Sequence, residues 1–512
     1  LQAAVEERSL NRIVVAGCSP HLYTDRFEAL VARLDLPPRV LSRANLREGT
    51  AWPHFGENGA AMEAARGEVG MAVAAVRETP DRRGTTATET PAQERVLVLG
   101  GGLAGMTAAL ALAELGVGCD LLERDGVLGG NLHDAYETLD GIDAQALLQE
   151  TLDRVAACEG VRIWTEAELV GWSGVSGDFR AEIRLRDERR SERYGALIVA
   201  TGAEAAATDQ YLYGRHPGVV TQRELERAIH EGTLENDASE LRSIVMIQCV
   251  GSRDETGTNG VPYCSRVCCG HAVKNAIDLK RISPDLEISV LFRDIRTMGT
   301  DELYYRDARR LGVNFVRYDP AEEPQVEADG NRLRVTVHDT LYDEWLTLNA
   351  DLLVLSTGIA PSRGNRALAQ LLGVALDEDG FFAEMHPKLR PVDLDKPGLF
   401  VCGMAYGPRF IAESIGQARA AAMRAALAVA RPTPLRADAA LVEPKLCSFC
   451  GLCVSACPYG ARVLDEEERV AQVIAHLCQG CGACVAICPN GASRQPAFET
   501  VQGLAVVDAA LS

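Results

Sequence analysis

The sequence predicts an α/β protein with two dinucleotide-type domains, one inserted in the other, between a small N-terminal α/β unit and a C-terminal cysteine-rich domain. Three observations predict it. "RVLVLGGGLAGMTAALALAELG", from Arg95, reads as a strand, a glycine-rich loop and a helix. A second strand–loop–helix–strand order follows, with Ser243–Ile247, a loop, Ala272–Lys280 and Ile288–Phe292, and its loop carries Cys249, Cys264, Cys268 and Cys269 where glycines are usual. Two cysteine runs of the same spacing then stand between residues 447 and 489.

The chain has 512 residues, enough for roughly three or four domains with sizeable cores. Its 47% apolar and 24% charged content is that of an ordinary globular protein. The net charge of −20 argues against a nucleic-acid surface, which needs a basic footprint. No stretch offers the roughly 18–20 apolar residues of a membrane span, because Arg419 and Arg424 break the most apolar helix. No signal peptide is visible. The chain opens at Leu1 inside what reads as a helix, so it reads as a fragment, and what lies upstream stays open. Sixteen cysteines in so long a chain point to a reducing compartment, the cytoplasm, rather than to a small secreted disulfide scaffold.

In order along the chain, residues 1–78 form an α/β unit, with "RIVVAG" as strand and Cys18-Ser19-Pro20 as a tight turn. Residues 79–94 lack large apolar side chains and read as a linker. The first nucleotide domain covers 95–240, is interrupted by the cysteine-bearing domain at 241–350, and resumes at 351–430 with "DLLVLSTGIAP" and a helix from Ile411 to Val429. The Pro-containing "ARPTPLRADA" leads to the cysteine-rich domain at 441–494, and 495–512 ends in a helix.

The glycine loop sets Gly100, Gly102 and Gly105 in the G-x-G-x-x-G order. The first permits the tight turn, the second lets a pyrophosphate approach the backbone, and the third lets helix pack on strand. Leu103 and Ala104 open the helix whose N–H groups and dipole face the phosphates. Glu123, ending the next strand, is placed to accept from ribose hydroxyls. Arg124, Gly130 and Asn131 in "ERDGVLGGN", Ala200, Thr201 and Gly202 in "LIVATGAEA", and Gly403 in "GLFVCGMAYGPRF" complete the candidate set. Their order is similar to that of two-dinucleotide-domain flavoproteins of the thioredoxin reductase type, which makes FAD the expected occupant. The acidic residue usual after the last of these glycines is missing, since Met404 follows Gly403. Lys388, in "HPKLRPVD", is a further candidate flavin neighbour, and no acid–base residue beyond the flavin is singled out.

"CSFCGLCVSACP" and "CQGCGACVAICP" each read C-x₂-C-x₂-C-x₃-C-P, the two-cluster ferredoxin pattern, in which the fourth cysteine of each run crosses to the other cluster. Cys447, Cys450, Cys453 and Cys488 are therefore expected on one 4Fe-4S cluster, and Cys478, Cys481, Cys484 and Cys457 on the other. A zinc ribbon would show paired knuckles instead. Cys119, Cys158 and Cys402 read as small core hydrophobes. The inserted loop "QCVGSRDETGTNGVPYCSRVCCGHAVKNA" lacks a phosphate-binding pattern and a redox Cys-x-x-Cys pair. Its four cysteines are expected around a third iron–sulfur cluster. Adjacent Cys268 and Cys269 point apart, so both bind only by serving different irons.

"RIVVAGCSP", the Gly100 loop, "QCVGSR…YCSRVCC…AVKNA", "RDIRTMG", "HPKLRPVD" and the tandem cysteine runs together resemble the A subunit of heterodisulfide reductase and its bacterial relatives, over nearly the whole chain. The resemblance implies FAD and several iron–sulfur clusters in a multi-subunit complex with a hydrogenase- or dehydrogenase-type donor and ferredoxin as partners. It brings the N-terminal unit against the insertion, making Cys18 an additional candidate ligand. It also implies flavin-based electron bifurcation in some members. Two other readings stay open: an NAD(P)H-dependent flavin enzyme of the glutamate synthase small-subunit type, and a relay subunit without bifurcation. Upstream cysteines that longer relatives carry are missing, and the terminal acceptor is not legible.

Overall fold

The computed structural model describes all residues except 1, 20–22, 35, 37, 80–92, 187, 235–240, 255–259, 431–438, 475–477 and 496–497. Both expected linkers, Pro20 of the N-terminal turn and the middle of the cysteine loop thus lie largely or wholly outside the described residues. The chain divides into two compact units, Ala92–Pro432 and a second made of Leu1–Pro91 with Thr433–Ser512.

In the Ala92–Pro432 unit, a five-stranded parallel sheet runs in the order Leu399–Val401, Ala196–Val199, Val96–Leu99, Cys119–Leu122, Val161–Trp164. Both faces are covered, so its inner strands are apolar at nearly every position. Helices Leu103–Glu114, Ala144–Ala157 and Ile411–Ala430 pack on one face, where Met106, Leu112, Ala418, Ala422 and Ala425 are buried. An antiparallel sheet of Ala167–Val175, Asp178–Leu185 and Glu188–Tyr194 covers the other face. Asp178–Leu185 buries Phe179, Ala181 and Ile183 in strict alternation, as a half-buried strand should. On the strand Cys119–Leu122 the buried carboxylate of Asp120 is matched by Arg95, Arg162 and the Tyr194 hydroxyl at 2.6–2.9 Å, so this burial leaves no unpaired charge. Cys119 and Cys402 are fully buried and Cys158 partly so.

The same layers recur further along. A second parallel sheet runs Val219–Thr221, Leu352–Thr357, Ser243–Val250, Glu287–Phe292, Asn314–Arg317. Helices Gln222–His230, Cys268–Ile282 and Glu302–Arg310 lie on one face, and an antiparallel sheet of Gln325–Asp329, Arg332–Asp339 and Glu344–Ala350 lies on the other. The expected boundaries at 240/241 and 350/351 do not match this sheet, which takes a strand from beyond each. The "DLLVLST" strand belongs here and not to the first sheet, because a fully apolar parallel strand reads alike in either. Antiparallel strands Ala203–Ala205 and Ile359–Pro361 join the two domains. The helix after the cysteine loop starts at Cys268, a turn earlier than expected, because its Cys-Cys-Gly-His opening carries no apolar period.

In the other unit, parallel strands Ile13–Gly17 and Leu41–Asn45 pack with helices Thr24–Arg33 and Asn58–Arg77. The cysteine-rich module has two antiparallel pairs, Leu441–Val442 with Ser493–Arg494 and Arg462–Asp465 with Val470–Val473. Its short helices Leu452–Ser455 and Ala483–Ala486 follow Gly451 and Gly482 at φ +75° and +78°. The last helix, Thr500–Leu511, packs on Asn58–Arg77, and Gln502 Nε2 donates to Thr79 Oγ1 at 2.9 Å.

Candidate functional site

The three loop glycines meet different demands. At Gly100, φ is +105° and a Cβ would sit 2.4 Å from the Ala200 carbonyl oxygen. At Gly105 a Cβ would stand 1.8 Å from the Gly100 oxygen, so helix and loop touch there. Gly102 caps helix Leu103–Glu114 with ordinary φ, and a Cβ on it would meet nothing within 4 Å. Packing within the chain does not require glycine at 102, whereas close approach of a ligand to the helix N-terminus does.

The other candidates are drawn to this loop. Glu123 accepts from the Gly101 N–H at 2.6 Å and from the Asp125 N–H at 2.8 Å. A Cβ on Gly130 would lie 3.3 Å from the Gly102 Cα, and the Gly129 N–H donates to the Gly101 carbonyl at 2.9 Å. Asn131 Nδ2 donates to Ala203 O at 2.9 Å, just past Gly202, whose φ is +71°. Thr201 Oγ1 is buried with no hydrogen-bond partner in the protein, the mark of a group that awaits one. Gly403, at φ +64°, packs against Ala104, and its N–H donates to Gln417 Oε1 at 3.2 Å. Arg124 is exposed beside Asp125, and Lys388 lies on an exposed turn where its N–H meets His386 Nδ1 at 3.2 Å. The open face at Gly102, the orphaned Thr201 hydroxyl and the carboxylate of Glu123 held against the glycine loop fit a dinucleotide such as FAD.

The second loop lies at the carboxyl ends of its strands, the ligand-binding edge of such sheets. Cys249, near the end of the strand Ser243–Val250, has φ +62°, an unusual conformation for a side-chain-bearing residue. Cys268 Sγ donates to Thr357 O at 3.6 Å, Cys269 Sγ lies 4.0 Å from Asp294 O, and Cys264 Sγ accepts from the Arg266 N–H at 3.3 Å. Burial pushes the Cys249 thiol up, against the pull of Arg253 and Arg293, and pushes Cys269 up to about 11. Cys268 is raised strongly, by burial first and then by Cys269, Cys249 and Cys264. The four sulfurs are thus within electrostatic reach of one another. As thiolates they would need a shared positive centre, which an iron–sulfur cluster supplies. Arg296 hydrogen-bonds towards Cys264, so three arginines face the set. Their presence in "QCVGSR" and "RDIRTMG" was readable, but not that they converge.

Arg266 belongs to the same assembly. Its guanidinium holds both oxygens of Glu413 at 2.7 and 3.0 Å and the Pro408 carbonyl at 3.0 Å, so the cysteine turn is tied to the start of helix Ile411–Ala430. Behind Cys268 and Cys269, the buried Glu226 accepts from His271 Nε2 at 2.7 Å and Lys274 Nζ at 2.8 Å. It also accepts from the N–H groups of Tyr136 and Glu137 in the first domain at 3.3 and 3.2 Å.

In the cysteine-rich module, Cys447, Cys450, Cys453 and Cys488 line one recess. Cys457, Cys478, Cys481 and Cys484 line another. The fourth cysteine of each run lies with the first three of the other. Four sulfurs accept from backbone N–H groups: Cys447 from Ala471, Cys457 from Ala461, Cys478 from Ala440 and Cys488 from Ser493, at 3.3–3.4 Å. At Cys488 burial raises the thiol, but the N–H groups of Ser493, Asn490 and Ala492 more than offset it, and the net shift is downward. Among the described residues no three His, Cys, Asp or Glu side chains converge on a single-ion geometry. Ligands of a polynuclear cluster bind different irons and stand farther apart. Cys18 lies in this unit's N-terminal portion, where Arg47 Nη2 donates to its sulfur at 2.9 Å.

Comparison with known proteins places the chain among flavin and iron–sulfur proteins. Residues 439–489 match the 4Fe-4S dicluster domain and residues 95–247 match the FAD dependent oxidoreductase family. An iron-sulfur A subunit of the CoB–CoM heterodisulfide reductase of Methanopyrus kandleri, the second of its kind in that organism, is 31% identical over 91% of this chain and 84% of its own length. The A subunit of the H(2):CoB-CoM heterodisulfide,ferredoxin reductase of Methanothermobacter thermautotrophicus is 32% identical over 100% of this chain and 90% of its own. Among solved structures, thioredoxin reductase of Lactococcus lactis is 20% identical over 66% of this chain and 100% of that one, with a TM-score of 0.46. The chain is an oxidoreductase with FAD and iron–sulfur clusters as its electron carriers. With identity above 30% along most of the length of both chains, it belongs to the family of heterodisulfide reductase A subunits.

Proposed function

We propose that this chain is the electron-distributing subunit of a heterodisulfide-reductase-like complex, with its flavin bifurcating electron pairs between ferredoxin and a second acceptor. One observation carries the reading: the second dinucleotide-type domain has thiols where a hydride donor would bind, and Arg266 ties those thiols to the first domain. A two-electron carrier flanked by one-electron sites has the parts for splitting pairs. The M. thermautotrophicus relative, named for both heterodisulfide and ferredoxin reduction, supports the same reading. The partners would be the other subunits of such a complex, a hydrogenase- or dehydrogenase-type donor, and ferredoxin.

FAD would be held by the Gly100–Gly105 loop, Glu123, Asn131 and the Thr201 hydroxyl, and would supply two-electron chemistry. The module's two cysteine sets would each hold a 4Fe-4S cluster. Cys249, Cys264, Cys268 and Cys269 would hold a third, with Arg253, Arg293 and Arg296 offsetting its charge. Anaerobic reconstitution should give one FAD and about 12 irons per chain, against about 8 without the third cluster. NADH or NADPH alone should reduce the flavin far more slowly than turnover, which is on the order of 10 s⁻¹ for a typical enzyme. Rapid reduction by either would favour the NAD(P)H-dependent reading. In a spectroelectrochemical titration no one-electron form of the flavin should accumulate; a stable one would leave a simple relay.

A further inference from the structure

The two recesses of the cysteine-rich module follow one plan, which exposes a difference between them. After Cys457 the chain reads Pro-Tyr-Gly-Ala-Arg462, and after Cys488 it reads Pro-Asn-Gly-Ala-Ser493. Arg462 and Ser493 therefore occupy equivalent places, and each is 3% exposed. Arg462 lines the recess of Cys457, Cys478, Cys481 and Cys484, while Ser493 lines the other. Arg462 Nη2 donates to Cys484 Sγ at 2.9 Å. Its Nη1 is buried and has no partner in the protein.

A guanidinium stays charged under all ordinary conditions. Buried, it needs an anion close by. Among the described residues no carboxylate forms an ion pair with Arg462. The anion it faces is the sulfur set of its own recess.

We propose that Arg462 is the countercharge of the iron–sulfur cluster at Cys457, Cys478, Cys481 and Cys484, and that it makes this cluster the stronger electron acceptor of the module's pair. The proposal rests on the reading that each recess holds one 4Fe-4S cluster. Reduction adds one electron and one negative charge to the cluster and breaks no bond. A fixed positive charge touching a ligand sulfur stabilises the reduced state, and hydrogen bonds to cluster sulfurs act in the same direction. The field of Arg462 also reaches Cys453 of the other set. That cluster is biased the same way but less, since the guanidinium neither lines its recess nor donates to its sulfurs. Ser493 brings a neutral hydroxyl to the equivalent place. An electron entering the module would therefore rest at the second cluster, which gives flow through two otherwise similar sites a direction.

The test is a redox titration of the full chain, reconstituted anaerobically with FAD, iron and sulfide, followed by electron paramagnetic resonance. Separate Cys450→Ser and Cys481→Ser chains assign the two module signals. Arg462→Gln should keep its iron and FAD while the second cluster's reduction equilibrium falls at least tenfold, which is about 59 mV for one electron. The first cluster should move by less than half of that. Unchanged potentials, or equal shifts in both signals, would overturn the proposal. Should Arg462→Gln lose about four irons, Arg462→Lys decides: recovery of iron and potential supports a countercharge, and continued loss assigns a folding role and overturns it. If neither serine variant removes a module signal, the two-cluster reading beneath the proposal falls instead.

Discussion

The two dinucleotide-type domains have the same layers, yet they treat the edge above the sheet in opposite ways. In the first, the chain turns from Leu99 into the helix at Leu103 through three glycines and leaves the helix N-terminus open in front of Gly102. In the second, residues 251–267 intervene between strand and helix. The described ends of that segment meet the strand Ile359–Pro361 that joins the domains: Ser252 and Ser265 share a 2.9 Å hydrogen bond, Ser265 Oγ accepts from the Ile359 N–H at 2.8 Å, and a Cβ on Gly358 would stand 2.6 Å from Ser252 Oγ. Here the described ends of the loop are tied down by side-chain contacts, where the first domain keeps a bare glycine turn. A shared architecture supplies an edge fit for a ligand, and the loop alone decides which ligand.

The sharpest way to break this comparison is a pair of substitutions. Gly102→Val should abolish FAD retention, since its side chain would occupy the phosphate approach, while iron stays at the wild-type level. Cys268→Ser should remove about four irons and leave FAD in place. Flavin absorbance after gel filtration and iron analysis of the same fractions read both. Loss of both cofactors in either variant would mean that the domains do not hold their ligands independently.

A smaller effect concerns how the domains are joined. Burial pushes the Glu226 carboxyl up, but His271 and Lys274 more than offset this, taking it from 4.5 to about 2. A depressed carboxyl stabilises the fold fully above its unfolded value and loses that contribution as pH falls through the folded one. Glu226 should thus contribute about 3 kcal/mol at neutral pH, draining away between about pH 4.5 and 2. Acid unfolding of the cluster-free chain, followed by tryptophan fluorescence, should show this slope in wild type and lose most of it in Glu226→Gln.

The smallest effect tests the tether. Arg266→Lys keeps the charge but forfeits the two-pronged grip on Glu413, and should cost about 1–2 kcal/mol of stability. With iron and FAD unchanged, the electron paramagnetic resonance signal assigned to the proposed third cluster should shift in position and in reduction potential. An unaltered signal would show that the cysteine turn is positioned without Arg266.

What was legible in the sequence was local. Gly100–Gly105 and the two cysteine runs carry their chemistry within a few residues, so spacing alone exposes them. The strand at Leu352 belongs to a different sheet from the one expected, because apolar parallel strands are interchangeable on paper and only pairing with Ser243–Val250 tells them apart. The Glu226 cluster draws on Tyr136, Glu226, His271 and Lys274, which no periodicity links. Arg462 reads as one more surface arginine until the fold buries it.

The pairing of helix Thr500–Leu511 with helix Asn58–Arg77 means that the second unit is assembled from segments on either side of Ala92–Pro432. On the ribosome, where domains generally fold as units as they emerge, the flavin-type unit can close before residues 433–512 have left the tunnel. Helix Asn58–Arg77 can pack on the N-terminal strands meanwhile, but the side of it that Thr500–Leu511 covers stays open until that helix emerges. A nascent chain stalled before residue 500 would therefore leave helix Asn58–Arg77 without its partner Thr500–Leu511.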